Sequence, residues 1–107
     1  MSEHLIDRLF ATIAARRTAD PSISYTAKLL QEGVPRCARK FGEEAVELAI
    51  AAVTGDKQAV AAESADVLYH LLVVWAACGL TPAEVYATLA AREGRSGLEE
   101  KASRGKS

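Results

Sequence analysis

Little in this chain of 107 residues invites covalent or redox chemistry. It has two cysteines, Cys37 and Cys78, and no CxxC spacing, so neither a zinc ribbon nor a thioredoxin-like centre is encoded. No P-loop, glycine-rich dinucleotide fingerprint or HExxH is present. No stretch alternates apolar and polar residues as a half-buried strand would. The formal net charge is −1, which leaves no overall basic footprint for nucleic acid. The most apolar run, Val67 to Gly79, is too short to span a bilayer and contains His70, so no membrane partner is expected. Residues 1–10 include Glu3, Asp7 and Arg8 in place of an apolar signal core, and the thiols are unpatterned. Both features lead to the expectation of a cytoplasmic protein with reduced cysteines.

What is present is helix. Half the residues are apolar and 25% are charged, the balance of one small globular domain. Leu5, Ile6, Leu9, Phe10 and Ile13 recur with helical period, and Ser2 is placed to cap that helix. It should fade by Arg17-Thr18, ahead of Pro21. Ser24 or Thr26 starts a short helix that stops at Gly33. Pro35 suits the first turn of a third helix running to about Thr54 and ending at Gly55. Asp56 caps a fourth, lasting to about Cys78-Gly79. Thr81-Pro82-Ala83-Glu84 is a capping box that opens a fifth, toward Arg92. The expected architecture is all-α: a helical bundle of about five helices around a central antiparallel hairpin. Residues 1–94 would form the domain and 95–107 a loosely ordered tail.

The acids are arranged about the expected turn. Glu47 lies eight residues before Gly55 and Glu63 eight after, while Glu44 and Asp66 lie eleven on either side. Each pair is spaced i, i+3, which puts two carboxylates on one helix face. In an antiparallel hairpin Glu47 then faces Glu63 and Glu44 faces Asp66, roughly 12–17 Å from the turn. Four carboxylates gathered away from bulk water repel one another unless a cation sits among them. An all-oxygen cage suits a hard divalent ion, Mg²⁺ or Mn²⁺. The competing explanation is a solvated acidic face, the usual fate of charged residues. Against it, the flanking positions are Phe41, Leu48, Val67 and Val74. Glu43, at the cage edge, reads equally as a further ligand, a water-positioning base or an exposed residue. His70 shares the face of Glu63 and Asp66, and a hydrogen bond from it to a carboxylate is expected in preference to coordination. Lys40, one turn before Glu44, is the leading cation for phosphate, with Lys28 and Arg92 further off.

The third and fourth helices are apolar almost all round, with Val46, Ala49 and Val53 on one and Leu68, Leu71, Leu72 and Trp75 on the other. A helix apolar on every side is normally buried on every side, and one chain of this size has too little other helix to cover both. A homodimer completing a four-helix core is therefore expected.

Glu43-Glu44-x-x-Glu47 followed by Glu63-x-x-Asp66 resembles the signature of the all-α nucleoside triphosphate pyrophosphatases. Ser24-Tyr25-Thr26, Lys40-Phe41-Gly42, Val67 to Val73 and Ser96 to Arg104 narrow the resemblance to the phosphoribosyl-ATP pyrophosphohydrolases of histidine biosynthesis. The likeness spans roughly residues 5–104. Val53 departs from it, since relatives often carry lysine just before the turn. The resemblance implies Mg²⁺-dependent hydrolysis of the α–β phosphoanhydride of phosphoribosyl-ATP to phosphoribosyl-AMP and pyrophosphate, and a functional link to phosphoribosyl-AMP cyclohydrolase. Glu44, Glu47, Glu63 and Asp66 would hold metal, and Glu43 or Glu47 would serve as base. Lys40, Lys28 and Arg92 would bind the phosphates or the phosphoribosyl group, and Ser24, Tyr25 and Thr26 would line the entrance. Three rivals remain: a general nucleotide pyrophosphatase with the same cage, a carboxylate-bridged di-iron protein, and a non-catalytic helical adaptor.

Overall fold

In a computed structural model that describes residues 4–93, five α-helices follow one another with no strand among the described residues. They are α1 (Leu5–Ala15), α2 (Tyr25–Glu32), α3 (Val34–Thr54), α4 (Lys57–Cys78) and α5 (Pro82–Arg92), with a 3₁₀ turn, Arg16–Thr18, after α1. The expected tail, residues 95–107, lies outside the described residues, as does Ser2.

The helix ends follow local chemistry. Ser24 caps α2 by accepting from the Ala27 amide at 3.1 Å, and Asp56 caps α4 by accepting from Gln58 and Ala59 at 3.0 and 3.3 Å. At α5 the capping box is complete: Thr81 Oγ1 accepts from the Glu84 amide at 3.3 Å, and Glu84 Oε2 accepts from the Thr81 amide at 2.8 Å. The start of α1 corrects the sequence expectation. His4 takes the capping position in place of Ser2, its Nδ1 accepting from the Ile6 amide at 3.2 Å. An unprotonated ring nitrogen offers the same short-range acceptor as a serine hydroxyl, a substitution that propensity rankings do not anticipate.

Between α3 and α4 the chain turns at Gly55, whose φ of 79° is the left-handed conformation glycine adopts without a Cβ penalty. The two long helices then run antiparallel and make the most extensive pairing among the described residues. The other helices gather at the end of the hairpin remote from this turn. Ile13, Leu29, Leu30, Cys37, Leu72, Val73 and Ala76 form the buried core there, joining α1, α2, α3 and α4. Arg17 donates to the main-chain carbonyl of Ala76 in the last turn of α4, where a cation also opposes the negative end of the helix dipole. Cys37 donates to the Leu29 carbonyl at 3.2 Å, and burial pushes its thiol above the ordinary range. α5 rests on α1, with Tyr86 donating to Asp7 at 3.2 Å.

By length and composition α4 is apolar enough to cross a membrane. Leu72 and Val73 of this helix are fully buried in the core. Towards the Gly55 turn the hairpin is less covered, and Val46, Ile50 and Val53 of α3 are 59%, 59% and 88% exposed.

Candidate metal centre

The turn at Gly55 sets the register of the hairpin, and the register brings the acids together. Glu44 from α3 and Glu63 and Asp66 from α4 each direct a carboxylate oxygen to one place, these atoms lying within 4.8 Å of one another. Glu44 and Glu63 are half-buried and Asp66 is exposed. Glu47 adjoins this group without belonging to the tight set of three. It shares a hydrogen bond with Glu44, and its charge acts on Glu63.

The crowding shows in the electrostatics. The Glu44 carboxyl is raised above its ordinary range, first by the hydrogen bond it shares with Glu47, then by desolvation and by the Glu47 charge, with His70 acting in the opposite sense. The Glu63 carboxyl is raised first by desolvation, then by the charges of Glu47 and Asp66. Crowded carboxylates repel one another, and a proton or a cation among them relieves the repulsion. The donor set is all oxygen and contributed by facing helices, which fits a hard divalent ion rather than zinc or copper.

The other expected residues divide into those near this cluster and those elsewhere. Lys40 lies at its rim, Nζ 3.1 Å from Glu43 Oε1. That bond, followed by the influence of Tyr25, raises the Lys40 ammonium above its ordinary range, and Glu44 adds to the effect. Reciprocally, Lys40 lowers the Glu43 carboxyl. Glu43 therefore stands apart from the cluster, paired on its outer side. Lys28 is exposed on α2. Arg92 is the last residue of α5, the helix that rests on α1. Arg36 is engaged with Glu32 at 3.3 Å.

Ser24, Tyr25 and Thr26 turn out to have structural partners. Ser24 caps α2, the Thr26 hydroxyl pairs with that of Tyr69, and the Tyr25 hydroxyl lies 3.5 Å from His70 Nε2. Tyr25 is nevertheless 49% exposed. His70 is buried, and its Nδ1 bonds at 2.9 Å to the main-chain carbonyl of Asp66, where a carboxylate had been expected. The cause is helical geometry: a histidine four residues after Asp66 reaches back over the preceding turn more readily than across to α3. The pairing of Thr26 with Tyr69, separated by 43 residues, had no sequence signal, since neither residue carries a local motif. Val53, the departure noted above, sits with Val46, Ala49, Ile50 and Thr54 along an apolar groove near the turn.

Fold and site together define a class: helical proteins in which a hairpin gathers an oxygen-donor cluster with a lysine at its rim. The comparisons identify the member of that class. A family model for phosphoribosyl-ATP pyrophosphohydrolase matches residues 6–93. The chain is 65% identical to the phosphoribosyl-ATP pyrophosphatase of Parvibaculum lavamentivorans, over 94% of its own length and 92% of the relative's. It is 58% identical to the enzyme of that name from Azospirillum brasilense, over 97% and 94%, and 60% identical to one from Cereibacter sphaeroides, over 94% and 98%. The chain belongs to the phosphoribosyl-ATP pyrophosphohydrolase family.

Proposed function

We propose that this protein hydrolyses phosphoribosyl-ATP to phosphoribosyl-AMP and pyrophosphate in histidine biosynthesis, using Mg²⁺, for which Mn²⁺ can substitute. The observation that carries the proposal is the convergence of Glu44, Glu63 and Asp66 within 4.8 Å in a chain of this family. Glu44, Glu63 and Asp66 hold the cation, with Glu47 beside them as the fourth ligand or the base. A bound divalent cation supplies charge neutralisation at the phosphate oxygens.

The chain's own residues do the rest. Lys40 binds phosphate, a role its position at the rim supports; an incoming phosphate competes with Glu43 for the ammonium. Of the two candidate bases, Glu47 is the better supported. Lys40 lowers the Glu43 carboxyl, which makes it the poorer proton acceptor, and Glu43 serves as the partner that holds Lys40 until substrate arrives. Tyr25, half exposed beside Lys40, lines the entrance, while Ser24 and Thr26 contribute by seating α2. Lys28 and Arg92 reach the outlying parts of the substrate. His70 supports the cluster from behind.

The working unit is a homodimer. Val46, Ala49, Ile50 and Val53 are spaced i, i+3, i+4 and i+7 on α3, a helical stripe of the kind that packs against another helix, and Leu68 of α4 adds to the exposed apolar area. A second copy would cover it and complete a four-helix core. Two free thiols, Cys37 and Cys78, suit the cytoplasm. The product phosphoribosyl-AMP links the protein functionally to phosphoribosyl-AMP cyclohydrolase, and neither nucleic acid nor membrane enters the reaction.

Pyrophosphate release from phosphoribosyl-ATP, followed with Mg²⁺ and with excess chelator, tests the reading. Turnover that requires the cation supports it. Turnover of dUTP or dCTP with none of phosphoribosyl-ATP would overturn it in favour of a general nucleotide pyrophosphatase.

A further inference from the structure

Tyr25, Thr26, Tyr69 and His70 form a polar seam between α2 and α4. His70 is only 6% exposed, and both its ring nitrogens are engaged. Nδ1 lies 2.9 Å from the Asp66 main-chain oxygen and Nε2 lies 3.5 Å from the Tyr25 hydroxyl. A carbonyl oxygen can only accept, so Nδ1 carries the proton. Nε2 faces the Tyr25 hydroxyl, a group able to donate or accept. The imidazole stands edge-on to the Tyr69 ring, centroids 4.9 Å apart at 87°, and to the Tyr25 ring, 6.2 Å apart at 76°. Beside it the Thr26 and Tyr69 hydroxyls pair. Two successive residues of α2 thus grip two successive residues of α4, one turn beyond Asp66.

That grip matters because α2 has eight residues, too few for a helix to hold its place by its own hydrogen bonds. Its seat comes from the buried Ala27, Leu29 and Leu30 and from this seam. Partners that orient a ligand usually bond its side chain. Here the hold is on the main chain of Asp66, so it fixes the turn of α4 that also carries Glu63.

We propose that Tyr25 and His70 are a positioning pair for the acidic cluster: Tyr25 holds the imidazole through Nε2, and His70 Nδ1–H anchors the Asp66 main chain so that the carboxylate stays within reach of Glu44 and Glu63. In this role the pair acts through the Asp66 main chain and touches no cation. It rests on the metal reading above, and the test separates the two.

Mn²⁺ alone is titrated into the full-length protein and the free ion is followed by electron paramagnetic resonance, for wild type, His70→Asn, His70→Gln, Tyr25→Phe and Tyr25→Phe with His70→Gln. Asparagine places an amide nitrogen near Nδ1 and keeps the donor to Asp66; glutamine places it near Nε2 and loses that donor. His70→Asn should hold Mn²⁺ within about threefold of wild type and His70→Gln should weaken it about tenfold or more, the usual range for lost outer partners. Tyr25→Phe should weaken binding in the wild-type background and add nothing in the His70→Gln background. Equal affinities for the asparagine and glutamine variants, or the same Tyr25→Phe cost in both backgrounds, would overturn the pair. Tyr25 is half exposed, so Tyr25→Phe folds even if the His70 variants do not, and unchanged Mn²⁺ affinity in it alone would also overturn the proposal. Failure of the wild type to bind Mn²⁺ at millimolar concentration would instead remove the metal reading itself.

Discussion

One side of α3 presents Glu44 and Glu47 to α4, while the opposite side presents Val46, Ala49, Ile50 and Val53 outward. By ordinary burial the two sides are exchanged: a carboxylate is half withdrawn from water while large aliphatic side chains are left in it. The physics of each mismatch differs. On the acidic side the strain is electrostatic, visible in the raised Glu44 and Glu63 carboxyls, and one small cation relieves it. On the apolar side nothing repels; there is only surface whose removal from water would contribute about 1.5–3 kcal/mol for each fully buried Val, Ile or Leu. Relief there takes a whole surface. A single helix thus holds two unfinished faces, and they call for ligands of very different size.

Removing one carboxylate is the sharpest way to break this comparison. Glu63→Gln should lower kcat/KM at least about 10²-fold, beyond the upper range for partners that only support a ligand, while leaving the oligomeric state untouched. Pyrophosphate release and light scattering on one preparation check both. Activity within tenfold of wild type would make the cluster a solvated face.

The opposite face breaks differently. Ile50→Asp places a charge in the centre of the groove, where pairing with a second copy would desolvate it without a partner at a cost of several kcal/mol. The protein should become monomeric at micromolar concentration and melt at lower temperature. A dimer that survives Ile50→Asp would put the interface elsewhere.

Much of this was readable before the fold was known, for one reason: the informative signals are local or symmetric about a local turn. Gly55, Asp56 and the Thr81 to Glu84 box each act within four residues, and from the turn the register of Glu44, Glu47, Glu63 and Asp66 follows by helix geometry alone. Contacts between distant residues were not readable. Arg17 on the Ala76 carbonyl, Thr26 on Tyr69 and Tyr25 on His70 depend on how α1 and α2 dock onto the hairpin, which no spacing encodes. Ser24, Tyr25 and Thr26 were expected to line an entrance, and their partners became visible only once α2 was seated. His70 was expected to bond a carboxylate; its bond to the Asp66 main chain depends on a side-chain direction that sequence spacing does not carry.

A smaller effect sharpens the acidic side. Glu44 and Glu63 titrate above their ordinary value of 4.5 in the fold, so the folded chain binds protons more readily than the unfolded one. Without metal, stability from this source is greatest at low pH and falls as pH rises from 4.5 through the raised values. Glu43 has the opposite sign, its lowered carboxyl favouring the fold above the ordinary range, but an exposed pair with Lys40 adds little. A cation that binds only the folded state offsets the loss, by about 2.7 kcal/mol at one hundred times its dissociation constant. The gain in melting temperature on adding Mg²⁺ should therefore increase as pH rises above 4.5 through the raised values, because ionised ligands are what it binds. A gain independent of pH would place the ion away from Glu44 and Glu63.

The smallest expected effect lies at Val53, where the groove meets the turn. Val53 is nine residues beyond Glu44, roughly 13 Å along the helix, and 88% exposed against 59% for Val46 and Ile50. Its exposure places it at the margin of the apolar stripe, and its distance keeps it off the acidic cluster. Val53→Lys, which places a cation beside the turn, should change stability by no more than about 0.5 kcal/mol, the range for surface positions, and should leave the oligomeric state and KM unchanged. A lower KM would mean that a cation at the turn reaches the substrate, extending the acidic side's territory around the helix. Dissociation would mean that the groove's covering extends to the turn, with Val53 buried in the assembly. Either result redraws the boundary between the two faces of α3, and the direction in which it moves says which ligand, the cation with its phosphates or the second chain, claims the turn.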